Sequence, residues 1–259
     1  MAATLNLEGI RGKRVAVTGA ASGIGREVVR TFHAAGGNVA ALDVNERGLS
    51  DLAAETSCVP LRCDVTDETS VDAAFAAIAA KVGGLDIVVS NAGSAPQGAI
   101  GDISIADLKA SFELNFFGHQ RVAQAALRLF RKGGNGGLML FNISNQSVNP
   151  GRHFGPYGIP KSGVLALMKQ YALDHGDEGI RANGVNAGRI RTGLMDDQLI
   201  EQRARARGIS VKEYMSGNLL KVEVTAKDVA ETFLHLALME KVNAAVVTVD
   251  GGTMATALR

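Results

Sequence analysis

Tyr157 and Lys161 stand four residues apart in the segment Phe154–Gly163. Pro156 suits the first position of a helix, and the apolar residues that follow repeat at helical spacing, so both side chains are predicted on one helix face. A free phenol, with a pKa near ~10, is a poor proton shuttle at neutral pH. An ammonium ~4 Å away, at an effective dielectric constant of ~20, would lower that pKa by ~3 units. The pair is therefore a candidate for general acid–base catalysis, the alternative being two unrelated surface residues.

A glycine-rich turn joins the first predicted strand, Lys13–Thr18, to the helix after it. Gly19, Gly23 and Gly25 would allow a tight turn, let the backbone approach a pyrophosphate and pack the helix on the strand. The helix N-terminus offers free N–H groups to phosphates. The spacing G-x-x-x-G-x-G differs from the common G-x-G-x-x-G fingerprint. A dinucleotide site is the prediction, and a turn without a ligand is the alternative.

Asp43 ends the second predicted strand. A carboxylate at this place can accept hydrogen bonds from both ribose hydroxyls and would repel a 2′-phosphate. No basic residue stands at Ser22, Val44 or Asn45 to receive that phosphate, although Arg47 is near. We therefore expect NAD rather than NADP, with capping of the next helix as another role for Asp43.

Short apolar strands alternate with helices along the whole chain, which predicts parallel strands covered on both faces. Right-handed crossovers make this an α/β, Rossmann-type, doubly wound sheet. With 259 residues, 46% of them hydrophobic, and no linker or repeat, the chain is predicted to form a single dinucleotide-binding catalytic domain over residues 1–259. A less apolar helical segment at about 195–220 is predicted to be a substrate-binding flap over a cleft.

A long amphipathic helix, from about Ala106 to Arg131, carries Asn115 in its middle. A buried asparagine on an apolar face needs hydrogen-bond partners. An asparagine satisfied within the core is the alternative to a functional one.

Composition excludes several classes of function. With 27 basic and 26 acidic residues mixed along the chain, the sequence has no excess of positive charge that would indicate binding to nucleic acid or to an anionic membrane. Cys58 and Cys63 flank one predicted strand and fit free thiols in a reducing compartment. Neither a signal peptide nor an apolar run of about 18 residues is present. We expect a cytoplasmic protein that binds a small molecule and no metal.

The order of these motifs resembles that of the short-chain dehydrogenase/reductase family in its single-domain form. The resemblance rests on T-G-x-x-x-G-I-G at 18–25, D-V at 64–65 and N-A-G at 91–93, followed by Asn115, Ser144, Tyr157 and Lys161. It implies a seven-stranded sheet and hydride transfer between a nicotinamide and an alcohol or carbonyl. Together with two very apolar helices, it also implies a homotetramer.

The resemblance implies a role for each residue of the site. Tyr157 would be the acid–base, and Ser144 would bind the substrate oxygen. Lys161 would hold the ribose and lower the pKa of the tyrosine, while Asn115 would position a water in a proton relay. The implied cofactor-binding residues are Gly19, Ser22, Gly23, Ile24, Asp43, Asp64, Val65, Asn91, Ala92, Gly93, Tyr157, Lys161, Ile190 and Thr192.

Some positions depart from the family's pattern. Asn145 follows Ser144 where a second serine is common, which leaves Ser147 as the backup candidate. Pro160 lies between the tyrosine and the lysine and removes one helical N–H. Residues 186–188, Asn-Ala-Gly, replace the usual proline-glycine pair before the carboxamide-binding residues Ile190 and Thr192.

The second half of the chain is similar to the dehydrogenase half of bifunctional rhamnulose-phosphate aldolase/alcohol dehydrogenases. The similar segments are Ile180–Asn183, Arg189–Leu194, Ala204–Ser210 and Thr248–Gly252. This likeness favours a small polar substrate such as a sugar, polyol or hydroxyaldehyde.

Arg152 and His153, in the loop before Tyr157, are candidate substrate-binding residues, because such donors suit hydroxyls, a carboxylate or a phosphate. Arg189 and Arg191 are further candidates that could instead pair with acidic residues. Two other functions stay open: a reductase of a hydrophobic ketone, and a non-catalytic NAD-binding regulator. The regulator would be expected to have lost Tyr157 or its partners.

Overall fold

Seven parallel strands form one sheet in the order β3-β2-β1-β4-β5-β6-β7. This computed structural model describes residues 7–193 and 195–257, so the expectations that involve Met1–Asn6 and Leu194 lie outside it. The predicted doubly wound α/β sheet is confirmed. The strands are Arg14–Thr18 (β1), Asn38–Asp43 (β2), Val59–Arg62 (β3), Ile87–Ser90 (β4), Gly137–Asn142 (β5), Ile180–Ala187 (β6) and Val246–Val249 (β7).

Helices follow the strands and cover both faces of the sheet. They are Gly23–Ala34 (α1), Glu46–Thr56 (α2), Glu68–Lys81 (α3), Ile105–Phe112 (α4), Gly118–Gly133 (α5), Gly155–Asp174 (α6), Asp197–Arg205 (α7), Val211–Met215 (α8), Ala226–Leu238 (α9) and Thr253–Ala257 (α10). Three short 3₁₀ turns lie at Leu7–Gly9, Asn145–Ser147 and Gly176–Glu178.

Each face of the sheet has its own hydrophobic core. Val15 and Val17 of β1 pack with residues of α1, α2 and α9, whereas Ala16 between them packs with residues of α3, α5 and α6. The alternation follows because successive side chains of a strand point to opposite faces. From β1 the sheet grows through β2 to β3 on one side and through β4 to β7 on the other. Such a reversal leaves a crevice at the carboxyl ends of the strands.

The predicted flap segment, 195–220, contains two short helices, α7 and α8, rather than one continuous helix. It has a small core of its own, made by Met195, Ile200, Ala204, Tyr214 and Met215. Arg189 lies against this core, because its guanidinium carbon is 3.9 Å from the centre of the Tyr214 ring. Closure of this segment over a substrate stays a prediction.

The two cysteines beside β3 are free and buried. Burial raises the pKa of Cys58 and raises that of Cys63 to about 12. Thiols of this kind are poor nucleophiles. Across residues 7–193 and 195–257, no helix is long and apolar enough to cross a membrane, and no group of three or more metal-binding side chains comes together.

The helix predicted over Ala106–Arg131 is interrupted, so the expectation of one continuous α-helix was wrong. A π turn at Glu113–Phe117 joins α4 to α5, and Asn115 within it is fully buried. Turns of this kind accommodate an extra residue and occur often at functional sites. The Asn115 amide is held from both sides: its Oδ1 accepts from the Ser94 N–H (3.0 Å), and its Nδ2 donates to Ser111 Oγ (3.1 Å).

Pro160 lies near the start of α6, where it has no N–H to donate to the carbonyl of Pro156 one turn earlier. That carbonyl accepts from Ser111 Oγ instead, at 2.6 Å. Pro156 and Ser111 are both buried. Because a buried carbonyl without a donor costs about 1–3 kcal/mol, the serine offsets the loss that the proline imposes. One hydroxyl thereby links α4, α6 and the amide of Asn115.

We predict that Ser111→Ala destabilises the protein by about 1–3 kcal/mol, because the Pro156 carbonyl is left buried without a donor. Pro160→Ala restores a backbone N–H for that carbonyl, so Ser111→Ala should cost clearly less in the Pro160→Ala background. Urea denaturation of the four proteins measures the free energies of unfolding. An equal cost in both backgrounds would contradict this explanation of Ser111.

Candidate active site

A cavity of about 620 Å³ lies at the carboxyl ends of the strands, where the strand order reverses. Most of the predicted cofactor residues line it. They are Gly19, Ser22, Gly23, Ile24, Asp43, Asp64, Val65, Asn91, Ala92, Gly93, Tyr157, Lys161 and Thr192. The predicted residues outside this lining are Asn115, Ser144, Arg152, His153 and Ile190.

The glycine-rich turn comes so close to its neighbours that it has no room for side chains. A Cβ on Gly25 would lie 2.1 Å from the carbonyl oxygen of Gly19. On Gly19, which has a φ of +66°, a Cβ would lie 2.9 Å from Ala92 Cα. The start of α1 therefore faces the cavity with bare backbone, which is the geometry that a pyrophosphate needs.

Asp43 lies in the cavity wall with its carboxylate already fixed by the backbone. Its Oδ2 accepts from the Ala21 N–H at 3.0 Å and its Oδ1 from the Asn45 N–H at 2.9 Å. The capping residue of α2 is Asn45, whose side chain accepts from the Gly48 N–H, so the capping role suggested for Asp43 was wrong. Each carboxylate oxygen keeps a lone pair for a further donor, such as a ribose hydroxyl.

Asn142, which sequence reasoning missed, connects the strand ends beneath the cavity. Its Nδ2 donates to Asn91 Oδ1 at 2.8 Å, and Asn91 in turn donates through its backbone N–H to Thr18 Oγ1 at 2.9 Å. Asn142 ends β5, Thr18 ends β1, and Asn91 directly follows β4. Nearby, Asp64 accepts from the backbone and hydroxyl of Thr66, which lowers the pKa of the Asp64 carboxyl.

The Ser144 hydroxyl lies near enough to the Tyr157 phenol to influence its pKa. Burial raises the pKa of the Tyr157 phenol above its usual value, and the hydrogen bond with Ser144 partly opposes that rise. Ser144 is itself buried, and its Oγ accepts from the Gln146 N–H at 3.2 Å. The backup candidate Ser147 donates its hydroxyl to the Ser144 carbonyl at 2.7 Å.

Lys161 is buried, and the hydrogen-bond partners of its amine are groups other than the phenol. Its Nζ donates to the carbonyl of Asn142 at 2.8 Å, lies 3.1 Å from His119 Nε2, and is 5.9 Å from the centre of the Tyr157 ring. The expected lowering of the tyrosine pKa was therefore wrong for the protein alone. Burial disfavours both charged forms: it raises the pKa of Tyr157 and lowers that of Lys161 to about 7.

Gly93 separates Asn115 from Lys161. A Cβ on Gly93 would lie 2.8 Å from Asn115 Oδ1 and 3.7 Å from Lys161 Nζ. A side chain here would occupy the space that faces both groups. Glycine therefore lets the backbone at residue 93 pack directly against the amide of Asn115.

The candidate substrate residues lie away from this lining. Arg152 and His153 are exposed, and the His153 carbonyl accepts from the Gly98 N–H at 2.9 Å. Arg189 donates to the backbone of Tyr214, and Arg191 pairs with Asp197 and with Glu223. The two later arginines thus have structural partners in and beside the α7–α8 segment.

Comparison with known proteins identifies the family of this chain. Residues 19–254 match the model of a family described as enoyl-(acyl carrier protein) reductase. The chain is 31% identical over 258 residues to the uncharacterized oxidoreductase YuxG of Bacillus subtilis (strain 168), an alignment that covers 94% of this chain and 37% of YuxG. This chain thus spans little more than a third of YuxG. It is also 34% identical over 251 residues to (+)-borneol dehydrogenase 1 of Salvia officinalis, with 94% of each chain covered.

Among solved structures, a short-chain type dehydrogenase/reductase from Mycobacterium marinum has a TM-score of 0.87 and 27% identity to this chain. The alignment covers 95% of this chain and 97% of that one. The chain belongs to the short-chain dehydrogenase/reductase family of oxidoreductases.

Proposed function

We propose that this protein is an NAD-dependent dehydrogenase that interconverts a secondary alcohol and a ketone, or a primary alcohol and an aldehyde. The observation that carries the proposal is the meeting of Tyr157, Ser144 and Lys161 beside a cavity whose other walls include the glycine-rich turn and Asp43. A non-catalytic regulator would need the cofactor-binding part alone.

The residues present fit a nicotinamide dinucleotide. The bare backbone at Gly19 suits the pyrophosphate, Asp43 suits the adenosine ribose, and Lys161 suits the ribose at the nicotinamide end. When bound, the cofactor supplies the hydride acceptor or donor. The protein's own part is to bind, orient and move the proton.

Tyr157 holds that proton at its hydroxyl oxygen. In the oxidation direction its phenolate takes the proton of the alcohol, and in the reduction direction the phenol returns it to the carbonyl oxygen. Ser144 donates to the substrate oxygen from the position in which it reaches the phenol. With the cofactor bound, the charge of Lys161 would favour the phenolate, and Asn115 would position a water in a proton relay.

Two substrate classes compete for this site. The resemblance inferred from sequence segments of the second half, to rhamnulose-phosphate aldolase/alcohol dehydrogenases, would favour a sugar, polyol or hydroxyaldehyde, and Arg152 and His153 would be its donors. The likeness to (+)-borneol dehydrogenase 1 supports a hydrophobic alcohol or ketone instead. Values of kcat/KM over a panel of polyols, sugars and hydrophobic alcohols decide between the two classes. The Arg152→Ala and His153→Ala variants then test for contact through KM.

A homotetramer in the cytoplasm is part of the same proposal. Large apolar side chains are exposed on the helices around the π turn and on α6, with Ile105 67% and Leu173 75% exposed, which supports burial between subunits. Free cysteines suit a reducing compartment. Light scattering at micromolar concentration measures the assembly.

We predict that Tyr157→Phe lowers kcat at least ~100-fold, because the ring stays while the proton shuttle is lost. NADH should still bind, as a fluorescence titration can show. Tyr171→Phe is the matched control: it removes another buried hydroxyl of α6, one that donates to Gln120 at 3.1 Å. A Tyr157→Phe enzyme that keeps a third of the wild-type kcat would refute the assignment of the shuttle.

Cofactor choice should depend on Asp43, because its carboxylate repels a 2′-phosphate. The wild type should favour NAD in kcat/KM, and Asp43→Ser should weaken NAD binding and narrow the gap to NADP. Asp51→Ser, which removes an exposed carboxylate of α2, serves as the control. A wild-type protein that prefers NADP in kcat/KM would contradict the role of Asp43 in selecting NAD.

A further inference from the structure

A buried histidine of α5 lies directly behind Lys161. The Nε2 atom of His119 is 3.1 Å from Lys161 Nζ, and its Nδ1 atom is 2.6 Å from Ser90 Oγ at the end of β4. His119 and Ser90 are 1% and 2% exposed. Sequence reasoning assigned neither residue a role, and the proton transfer proposed at Tyr157 does not involve them.

The donor and acceptor roles in this chain follow from Lys161. An ammonium group has only N–H donors, so His119 Nε2 must accept from it. The neutral imidazole then carries its proton on Nδ1 and donates to Ser90 Oγ. Burial, and after it the charge of Lys161, lowers the pKa of His119 well below its usual value, which keeps the ring neutral.

No carboxylate of the described residues contributes to the pKa of His119 or of Lys161. The groups that face the pair come from four elements and are otherwise neutral in the protein alone. They are the Tyr157 phenol on α6, the Ser90 hydroxyl on β4, the Phe141 ring and the Asn142 carbonyl on β5, and the Asn115 amide in the π turn. The buried amine is thus held by neutral acceptors.

The chain from Lys161 through His119 ends at Ser90, which is buried, so it offers no route for a proton to solvent. Its effect is instead on position. The carbonyl of Asn142 and the imidazole take two of the three N–H donors of the ammonium. The third remains for the cavity, which Lys161 also lines.

We propose that His119 is a positioning residue for Lys161: fixed by Ser90 as a neutral acceptor, it holds the ammonium so that its remaining N–H points to the cofactor. The contact stands on the geometry, and its effect on turnover rests on the proposed dehydrogenase function. Without this acceptor the ammonium is less stable in its buried place, and less positive charge remains to favour the phenolate.

Nitrogen NMR of histidine-labelled protein tests the contact without any activity. At about pH 6, below the pKa of about 7 that burial gives Lys161, the His119 ring should be neutral with its proton on Nδ1. Comparison with His119→Gln assigns its signals among the five histidines. A ring protonated on Nε2, or on both nitrogens, would overturn the proposal.

Kinetics of His119→Leu and His119→Gln test the effect. The leucine removes the acceptor, so the apparent pKa at which kcat for alcohol oxidation rises should move up by about one unit. Glutamine can place an amide oxygen near Nε2 and should restore most of that shift. Tyr171→Phe, which breaks a different hydrogen bond between α5 and α6, should leave the pH profile as it is.

Equal pH profiles for the leucine and glutamine variants, or a shift as large in Tyr171→Phe, would overturn the positioning role. If the leucine variant fails to fold, the comparison of His119→Gln with wild type and the NMR result still decide. If the wild type oxidises no alcohol in the panel, the proposed function fails by itself. NADH affinity near pH 7 then decides the positioning role: it should weaken more in the leucine than in the glutamine variant, and an equal affinity in both would overturn it.

Discussion

The amine of Lys161 is buried at the cavity with two neutral acceptors, and no carboxylate of residues 7–193 or 195–257 contributes to its pKa. Removing an ammonium from water costs several kcal/mol unless hydrogen bonds replace the lost hydration. β5 supplies the carbonyl of Asn142, α5 supplies the imidazole of His119, and the third donor is left for whatever enters the cavity. In the proposed function, this unfilled donor binds a hydroxyl of the cofactor ribose.

The helices around the amine depart from regular geometry, and hydrogen bonds from neighbouring side chains offset these departures. Pro160, the residue before Lys161, has no N–H to donate to the Pro156 carbonyl. Ser111 of α4 donates to that carbonyl instead, and its hydroxyl also accepts from the Asn115 amide. The π turn that carries Asn115 is a second irregularity at the same place. Local rules are commonly broken at functional sites and offset by neighbouring contacts. Here the compensations fix the start of α6, from which Tyr157 faces the cavity.

Hydrophobic periodicity and the glycine spacing predicted the sheet, the tight glycine-rich turn after β1 and the place of Asp43 at a strand end, because these depend on short-range order along the chain. The π turn escaped prediction, since one extra residue in a helix leaves the apolar pattern nearly unchanged. The pKa of Tyr157 was misjudged for a different reason. A spacing of four places Lys161 on the same helix face, but it does not show that the amine bends toward β5. His119 was missed because a buried histidine in an amphipathic helix is distinguished only by its tertiary partners.

Proton uptake on cofactor binding tests the central claim, that one N–H of the Lys161 ammonium has no acceptor until the cofactor binds. Isothermal titration calorimetry of NADH at about pH 7.5, in two buffers of different ionisation enthalpy, measures that uptake directly. Since burial sets the pKa of Lys161 to about 7, much of the amine is neutral there, and a ribose hydroxyl that accepts from it should raise that pKa. The wild type and Lys169→Met, a change at an exposed lysine of α6, should therefore take up a fraction of a proton, and Lys161→Met should take up none. An uptake that persists in Lys161→Met, or its absence from the wild type, would contradict the account.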